Sequence, residues 1–209
     1  MSNTGTIVSV LICALMTAAG LSFSQNSKAK LKFPIAVTVS FPHHEYTQIA
    51  ASIKGVDFRN FDYRLDGERI RLRNGLMRAS YSGGGGTEIK LERVSYFDFH
   101  NGAPIHAVLT LDDFSFGGSS SDDGVLLVFG VIDRHLVLEQ QLEYDRQSPR
   151  TGNAFDKKTG RLTISARASD DSAHCCPENV ETDEFKWDGE KFKLMHRRID
   201  ALPPGSPRG

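Results

Sequence analysis

Apolar and polar side chains alternate with a period of two through most of this chain, which predicts a protein built from strands. Ile35, Val37 and Val39 alternate with small or polar residues and predict a first short strand. Phe61, Tyr63 and Leu65 then alternate with Asp62 and Arg64, and Ile70 and Leu72 alternate with Arg69, Arg71 and Arg73. Between the two runs lies Asp66-Gly67, a pair suited to a two-residue hairpin turn because both turn positions favour positive φ. That turn sets Leu65 opposite Glu68, Tyr63 opposite Ile70, Phe61 opposite Leu72 and Asp62 opposite Arg71. A second such turn at Asn74-Gly75 places Met77 opposite Leu72 and Ala79 opposite Ile70, so a three-stranded meander with one apolar face is expected. A slip of one residue in either turn would send every apolar side chain to solvent.

The period changes once before this meander. Tyr46, Ile49, Ala50 and Ile53 fall at i, i+3, i+4 and i+7, the spacing of one face of a short helix ended by Gly55. After the flexible glycine run 83–86, residues 87–98 read as a strand. Ile89 and Leu91 have one parity and Val94 and Tyr96 the other, which predicts a bulge near Glu92-Arg93. Further strands are expected at 105–111, 125–132, 136–144 and 162–166. A final hairpin turns at Asp188-Gly189 and sets Phe185 opposite Phe192. The stretches 117–124 and 145–160 read as long surface loops. The expected fold is therefore mainly β: a single antiparallel, meander or sandwich-like domain of about nine strands with one short N-terminal helix. No repeat of 20 to 50 residues points to a propeller or solenoid.

The first 24 residues stand apart, because they contain no Lys, Arg, Asp or Glu. Residues 7–19 (IVSVLICALMTAA) form an apolar run of the length of a signal-peptide core, short of the ~20 residues that cross a bilayer as a helix. Ser22 and Ser24 supply small residues for cleavage before Gln25. The reading is a signal peptide at 1–24, a polar linker at 25–32, a β-rich domain at 33–202 and a Pro- and Gly-rich tail at 203–209. It places the mature chain in the periplasm or outside the cell, with a membrane attachment only if the leader stays uncleaved. Cys13 sits inside the apolar run and reads as a free thiol of the leader.

Composition narrows the partners. The chain has 209 residues, with 25 basic and 26 acidic side chains and a net charge of −1. Near-neutral charge supplies no general attraction to a phosphate backbone; a nucleic-acid partner would need a local basic patch, and none stands out along the chain. All the charge lies after residue 24, so the mature domain is well solvated, and about 170 residues suffice to bury a core without disulfide staples.

His174-Cys175-Cys176-Pro177 is the most unusual local sequence and the candidate site. Adjacent cysteines close only a small strained ring, so three readings stand side by side: a ring that pins the loop before the last hairpin, a thiol or redox switch tuned by His174, and a metal site. No cofactor is implied, and no metal is assigned. The run Gly83-Gly84-Gly85-Gly86-Thr87 lacks the Lys-Ser/Thr ending of a phosphate loop and leads into a strand. Asp112, Asp113, Asp122 and Asp123 flank the loop Gly117-Gly118-Ser119-Ser120-Ser121 and read as a solvated acidic loop rather than a calcium site. His43, His44, His100 and His106 are scattered, and no hydrolase motif organises them.

From about residue 56 to 194 the chain resembles a group of small exported bacterial proteins of unknown function. The resemblance is carried by Val56-Asp57-Phe58-Arg59-Asn60-Phe61, the glycine run into Thr87-Glu88-Ile89, the strand 94–98, Gly117-Gly118-Ser119-Ser120, and Cys175-Cys176-Pro177 followed by Phe185-Lys186-Trp187-Asp188-Gly189. It implies an exported β-rich protein without an established activity. In that group a stretch similar to FG-GAP or VCBS calcium loops, Asp-x-x-Gly-Asp-Gly-x-x-Glu-Ala, often follows the strand. Here it runs from Asp98 to Ala107 with Gly102 and His106 in place of two oxygen ligands, too few for calcium. The expected function is a non-enzymatic binding or envelope-interaction module for an envelope protein or small ligand. The alternative is a thiol- or metal-dependent function at His174, Cys175 and Cys176.

Overall fold

The computed structural model describes residues 36–65, 68–82, 84–98, 105–117, 121–146, 151–168 and 179–201, all within the unit Leu31–Gly209. The expected leader, the tail, the turn residues Asp66-Gly67 and the segment His174-Cys175-Cys176 lie outside the described residues. Thirteen strands are described, against about nine expected, and all their pairings are antiparallel.

The scaffold is a seven-stranded sheet in the order β1(Val37–Ser40), β9(His135–Asp145), β8(Ser121–Ile132), β7(His106–Phe116), β6(Gly86–Phe97), β5(Leu76–Ser80), with β2(His44–Ile49) also paired to β9. Its central strands are apolar on both faces. Along β8, Val125, Leu127 and Phe129 enter one core and Leu126 and Val128 enter another. Two-sided burial explains why 125–129 reads as an unbroken apolar run instead of an alternation.

On one face lies the ribbon β3(Asp62–Leu65) and β4(Glu68–Arg71), preceded by one-turn 3₁₀ helices at Ile53–Gly55 and Phe58–Asn60. Ser52 and Asp57 cap those turns by accepting hydrogen bonds from the backbone of Lys54 and Arg59, each at 3.1 Å. Phe58, Phe61, Tyr63 and Tyr46 surround Phe129, with ring centroids 5.3 to 6.2 Å from it. On the other face lies a four-stranded sheet, β10(Gly152–Asp156), β11(Arg161–Arg167), β12(Asn179–Trp187) and β13(Phe192–Ala201). Leu162, Ile164, Phe185, Trp187 and Phe192 form its inner surface.

The second interface is fastened by a side chain. Gln140 of β9, fully buried, donates to the carbonyl of Phe192 at 3.0 Å and accepts from the Phe192 amide at 2.8 Å. One amide thus pairs both backbone groups of a buried residue on β13, the edge strand of its sheet. Gly124 faces Tyr144 across the β8–β9 ladder, and a Cβ at Gly124 would meet the tyrosine ring at 2.1 Å, so only glycine lets that ring lie flat.

The first hairpin has the expected register in full: Leu65 faces Glu68, Tyr63 faces Ile70, Asp62 faces Arg71, and Leu72 donates to the Phe61 carbonyl. The β6 bulge is also where parity places it, between Leu91 and Arg93. Four expectations need correction. The helix at 46–53 is absent: Tyr46 lies on β2 opposite Leu136, and Ile53 lies in a 3₁₀ turn. The exposed edge of β9 supplies partners for these backbone groups, and an irregular strand followed by a turn brings Tyr46, Ala50 and Ile53 into one core as a helix would. The three-stranded meander stops after two strands. Asn74 and Gly75 take positive φ as expected, but only the bridge between Arg73 and Leu76 joins the arms, and β5 pairs with β6. The turn is a corner between two layers, with Ile70 and Met77 packed on the same core from each.

The last hairpin turns over four residues instead of two. Asp188 accepts from the amides of Glu190 and Lys191, each at 2.9 Å, and Gly189 has φ of 115°. Trp187 therefore faces Phe192, and Phe185 faces Leu194. The displacement is two residues, so Phe185 and Phe192 keep their common face. Finally, the expected loops are strand in part: β7 and β8 stay paired out to Ser115 and Ser121, and β10 occupies residues 152–156 of 145–160.

Replacing Gln140 by leucine leaves both backbone groups of Phe192 without a partner. Unpaired buried groups cost about 1–3 kcal/mol each, so Gln140→Leu is expected to lower unfolding free energy by roughly 2–6 kcal/mol in urea denaturation. An unchanged midpoint would show that the clasp contributes nothing.

Candidate functional site

Extending β7, β8 and β9 past their cover turns the acidic "loop" into strand. Asp113 is directly opposite Asp123, and Asp123 is directly opposite Asp145, so three carboxylates form a row across three strands on one face. Val125 and Glu143 form the next pair inward. The row, the start of β1 and the edge of the β3–β4 ribbon enclose a cleft of about 440 Å³. Glu68, Asp113, Asp123, Glu143 and Asp145 supply its charge, and Leu65, Ile70 and Val125 its apolar wall.

Burial and like charge act together in this cleft. Burial pushes the Asp123 carboxyl up to about 6, aided by Asp145, Asp113, Asp122 and Glu143. Burial also raises Asp113. Asp145 is held from outside the row by Arg167 at 2.9 Å. On the opposite face of the sheet, a single guanidinium, Arg146, contacts Asp112, with Glu92 at 3.6 Å and Asp122 at 4.0 Å. The parity of adjacent aspartates thus separates them: Asp112 and Asp122 go to the Arg146 side, and Asp113 and Asp123 to the cleft.

A second constellation lies where β8 pairs irregularly with β9. The register shifts between Val128 and Phe129, leaving Glu139 as the extra residue of a bulge. Its carboxylate rests on Gly130, where a Cβ would come within 2.7 Å of it. His106, opposite Gly130, places Nε2 3.4 Å from Glu139 Oε2. The imidazole is stacked on Phe97 at 5.2 Å and meets the edge of Trp187 at 4.8 Å. Burial pushes the Glu139 carboxyl up to about 7. The sequence pattern did not single out Glu139; its signal is Glu139-Gln140-Gln141, three consecutive polar residues between Leu138 and Leu142 on a strand that is mostly buried.

The remaining sequence candidates separate. His174, Cys175, Cys176 and His100 lie outside the described residues. His43 is exposed, and His44 meets the ring of Tyr46 edge-on at 4.6 Å. His106 lies on β7 by Glu139, whereas His44 lies on β2. Among the described residues no group of three or more His, Cys, Asp and Glu side chains is arranged to hold a metal ion, and no helix is long and apolar enough to cross a membrane. No protein-family model, no curated protein and no solved structure matches this chain.

Glu139 gives a pH dependence of definite sign. Its carboxyl is harder to ionise folded than unfolded, so its stabilising contribution is complete below about 4.5 and is lost as pH rises through about 7. The melting temperature is expected to decline between pH 5 and 8, and Glu139→Gln to flatten that decline. Scanning calorimetry of both proteins across this range is the check; parallel curves would remove Glu139 as the cause.

Proposed function

We propose that this chain is an exported, non-enzymatic binding module whose cleft takes a small cationic ligand with an apolar body, such as a short linear amine. The carrying observation is the pairing of carboxylates with an apolar wall in one cleft of about 440 Å³. A cation gains most where charge is partly withdrawn from water, and its hydrocarbon portion gains by covering Leu65, Ile70 and Val125. The row Asp113, Asp123, Asp145 follows the strand spacing of about 4.8 Å, so its negative charge is extended and suits a ligand whose cationic groups are separated by a few methylenes. The apolar leader read from the sequence supports export.

Asp123 couples binding to protons. A cation favours the ionised carboxylate, so binding is expected to be tighter at pH 7.5 than at pH 5.5, on either side of about 6. Isothermal titration of 1,5-diaminopentane into the protein checks this, with proton release visible as buffer-dependent heat. Asp123→Asn is expected to weaken binding by roughly tenfold and to remove the pH effect. No heat at millimolar ligand, or unchanged affinity in the variant, would overturn the reading.

A further inference from the structure

The β3–β4 ribbon has two chemically opposite faces. Phe61, Tyr63, Leu65 and Leu72 are buried against the central sheet, whereas Arg64, Arg69, Arg71 and Arg73 are exposed on the other side. The register makes this face continuous: Arg64 is directly opposite Arg69, and Asp62 is directly opposite Arg71. Asp62 is the only acid facing them in those pairs, and it is shared. Arg71 reaches its two oxygens at 2.7 and 3.0 Å, and Arg69 contacts it as well. Hydrogen bonds from Arg71 and Arg69 hold the Asp62 carboxyl well below the usual range. Arg64 and Arg73 have no carboxylate partner among the described residues. Among the described residues this face sets four guanidinium groups against the single carboxylate of Asp62, in a chain whose net charge is −1.

Like charges directly across an antiparallel pair are destabilising, so Arg64 opposite Arg69 is a cost that an added anion would relieve. Beside the ribbon, a groove of about 280 Å³ is lined by Tyr46, Thr47, Asn60, Phe61, Asp62 and Arg73. Its aromatic floor and hydroxyl and amide rim fit a sugar ring, and Arg73 adds a cation at its edge.

We propose that this face binds an acidic polysaccharide, with the arginines engaging sulfate or carboxylate groups and the groove holding one sugar ring. Guanidinium forks pair with such planar or branched oxyanions in two-point contacts. The ribbon carries none of the large exposed hydrophobic side chains, Phe41, Tyr81, Ile105, Phe114, Phe116, Ile132, Leu194 and Met195, so it lacks wedges for a bilayer and exposed rings on which bases stack. The ribbon borders both surfaces, but the groove and the cationic-ligand cleft have no lining residue in common, so either reading can fail alone.

The test uses the full chain with heparin as the polyanion in titrations at 50 mM and 300 mM salt. Binding at low salt that weakens by at least roughly tenfold at high salt is expected. The double variant Arg64→Gln, Arg71→Gln is expected to lose roughly tenfold in affinity, and Arg198→Gln on β13 to lose nothing. Asp62→Asn removes the one neutralising carboxylate and is expected to tighten binding several-fold, a direction that misfolding would not produce. No binding at 50 mM salt, an unchanged double variant, or weaker binding by Asp62→Asn would overturn the proposal. Equal binding to phosphatidylglycerol vesicles or to a duplex oligonucleotide would overturn the choice of polysaccharide.

Discussion

Strand β8 turns neither face to water along Val125 to Phe129, and the rest of the architecture answers that constraint. Successive side chains enter different cores, so the seven-stranded sheet needs a cover on each side. The segment from β2 to β4 supplies one, closing aromatic rings around Phe129. The sheet β10–β13 supplies the other, and the Gln140 amide fastens it by pairing the backbone of Phe192. Burial sets the layers together without direction, whereas this clasp sets their alignment, because two hydrogen bonds to one residue tolerate no sliding.

Polar chemistry collects where this cover ends or is interrupted. The long strands β7, β8 and β9 continue beyond the cores, and there they carry Asp112 and Asp113 late in β7, Asp122 and Asp123 at the start of β8, and Asp145 at the end of β9. Because consecutive residues in a strand face opposite ways, the paired aspartates supply both the cleft and the Arg146 contacts on the far side. Glu139 enters the interior by another route, since a bulge inserts one residue and Gly130 leaves room for its carboxylate. Both places hold carboxyls whose ionisation is opposed by burial, at about 6 for Asp123 and about 7 for Glu139. The ribbon shows the opposite arrangement, with its arginines and Asp62 on the solvent side and Tyr63, Leu65 and Ile70 on the inner one.

Local patterns were legible wherever the covering of a strand is one-sided. The hairpin around residues 62–71 follows its alternation residue by residue, and the change of parity from Leu91 to Val94 locates the bulge. At Tyr46, Ala50 and Ile53 the pattern correctly identified a common buried face but not the backbone, since a helix and an irregular strand with a turn deliver the same three side chains to one core. At Asn74-Gly75 the turn was legible and the partner of the following strand was not. The Arg-x-Arg-x-Arg alternation from Arg69 to Arg73 was visible, yet it becomes a basic surface only when Arg64 is brought across from β3.

The sequence alone determined the β character, the inward and outward sides of each half-exposed strand, and the positions of the turns rich in Gly, Asn and Asp. These depend on steric limits on φ and on a two-residue repeat, both of which act between near neighbours. Only the tertiary structure decided that Asp113, Asp123 and Asp145 stand in one row, that Glu139 meets His106 beneath Trp187, and that Gln140 clasps Phe192. Those contacts join residues on different strands or layers, and their register follows from filling two cores at once, a condition that no local pattern expresses.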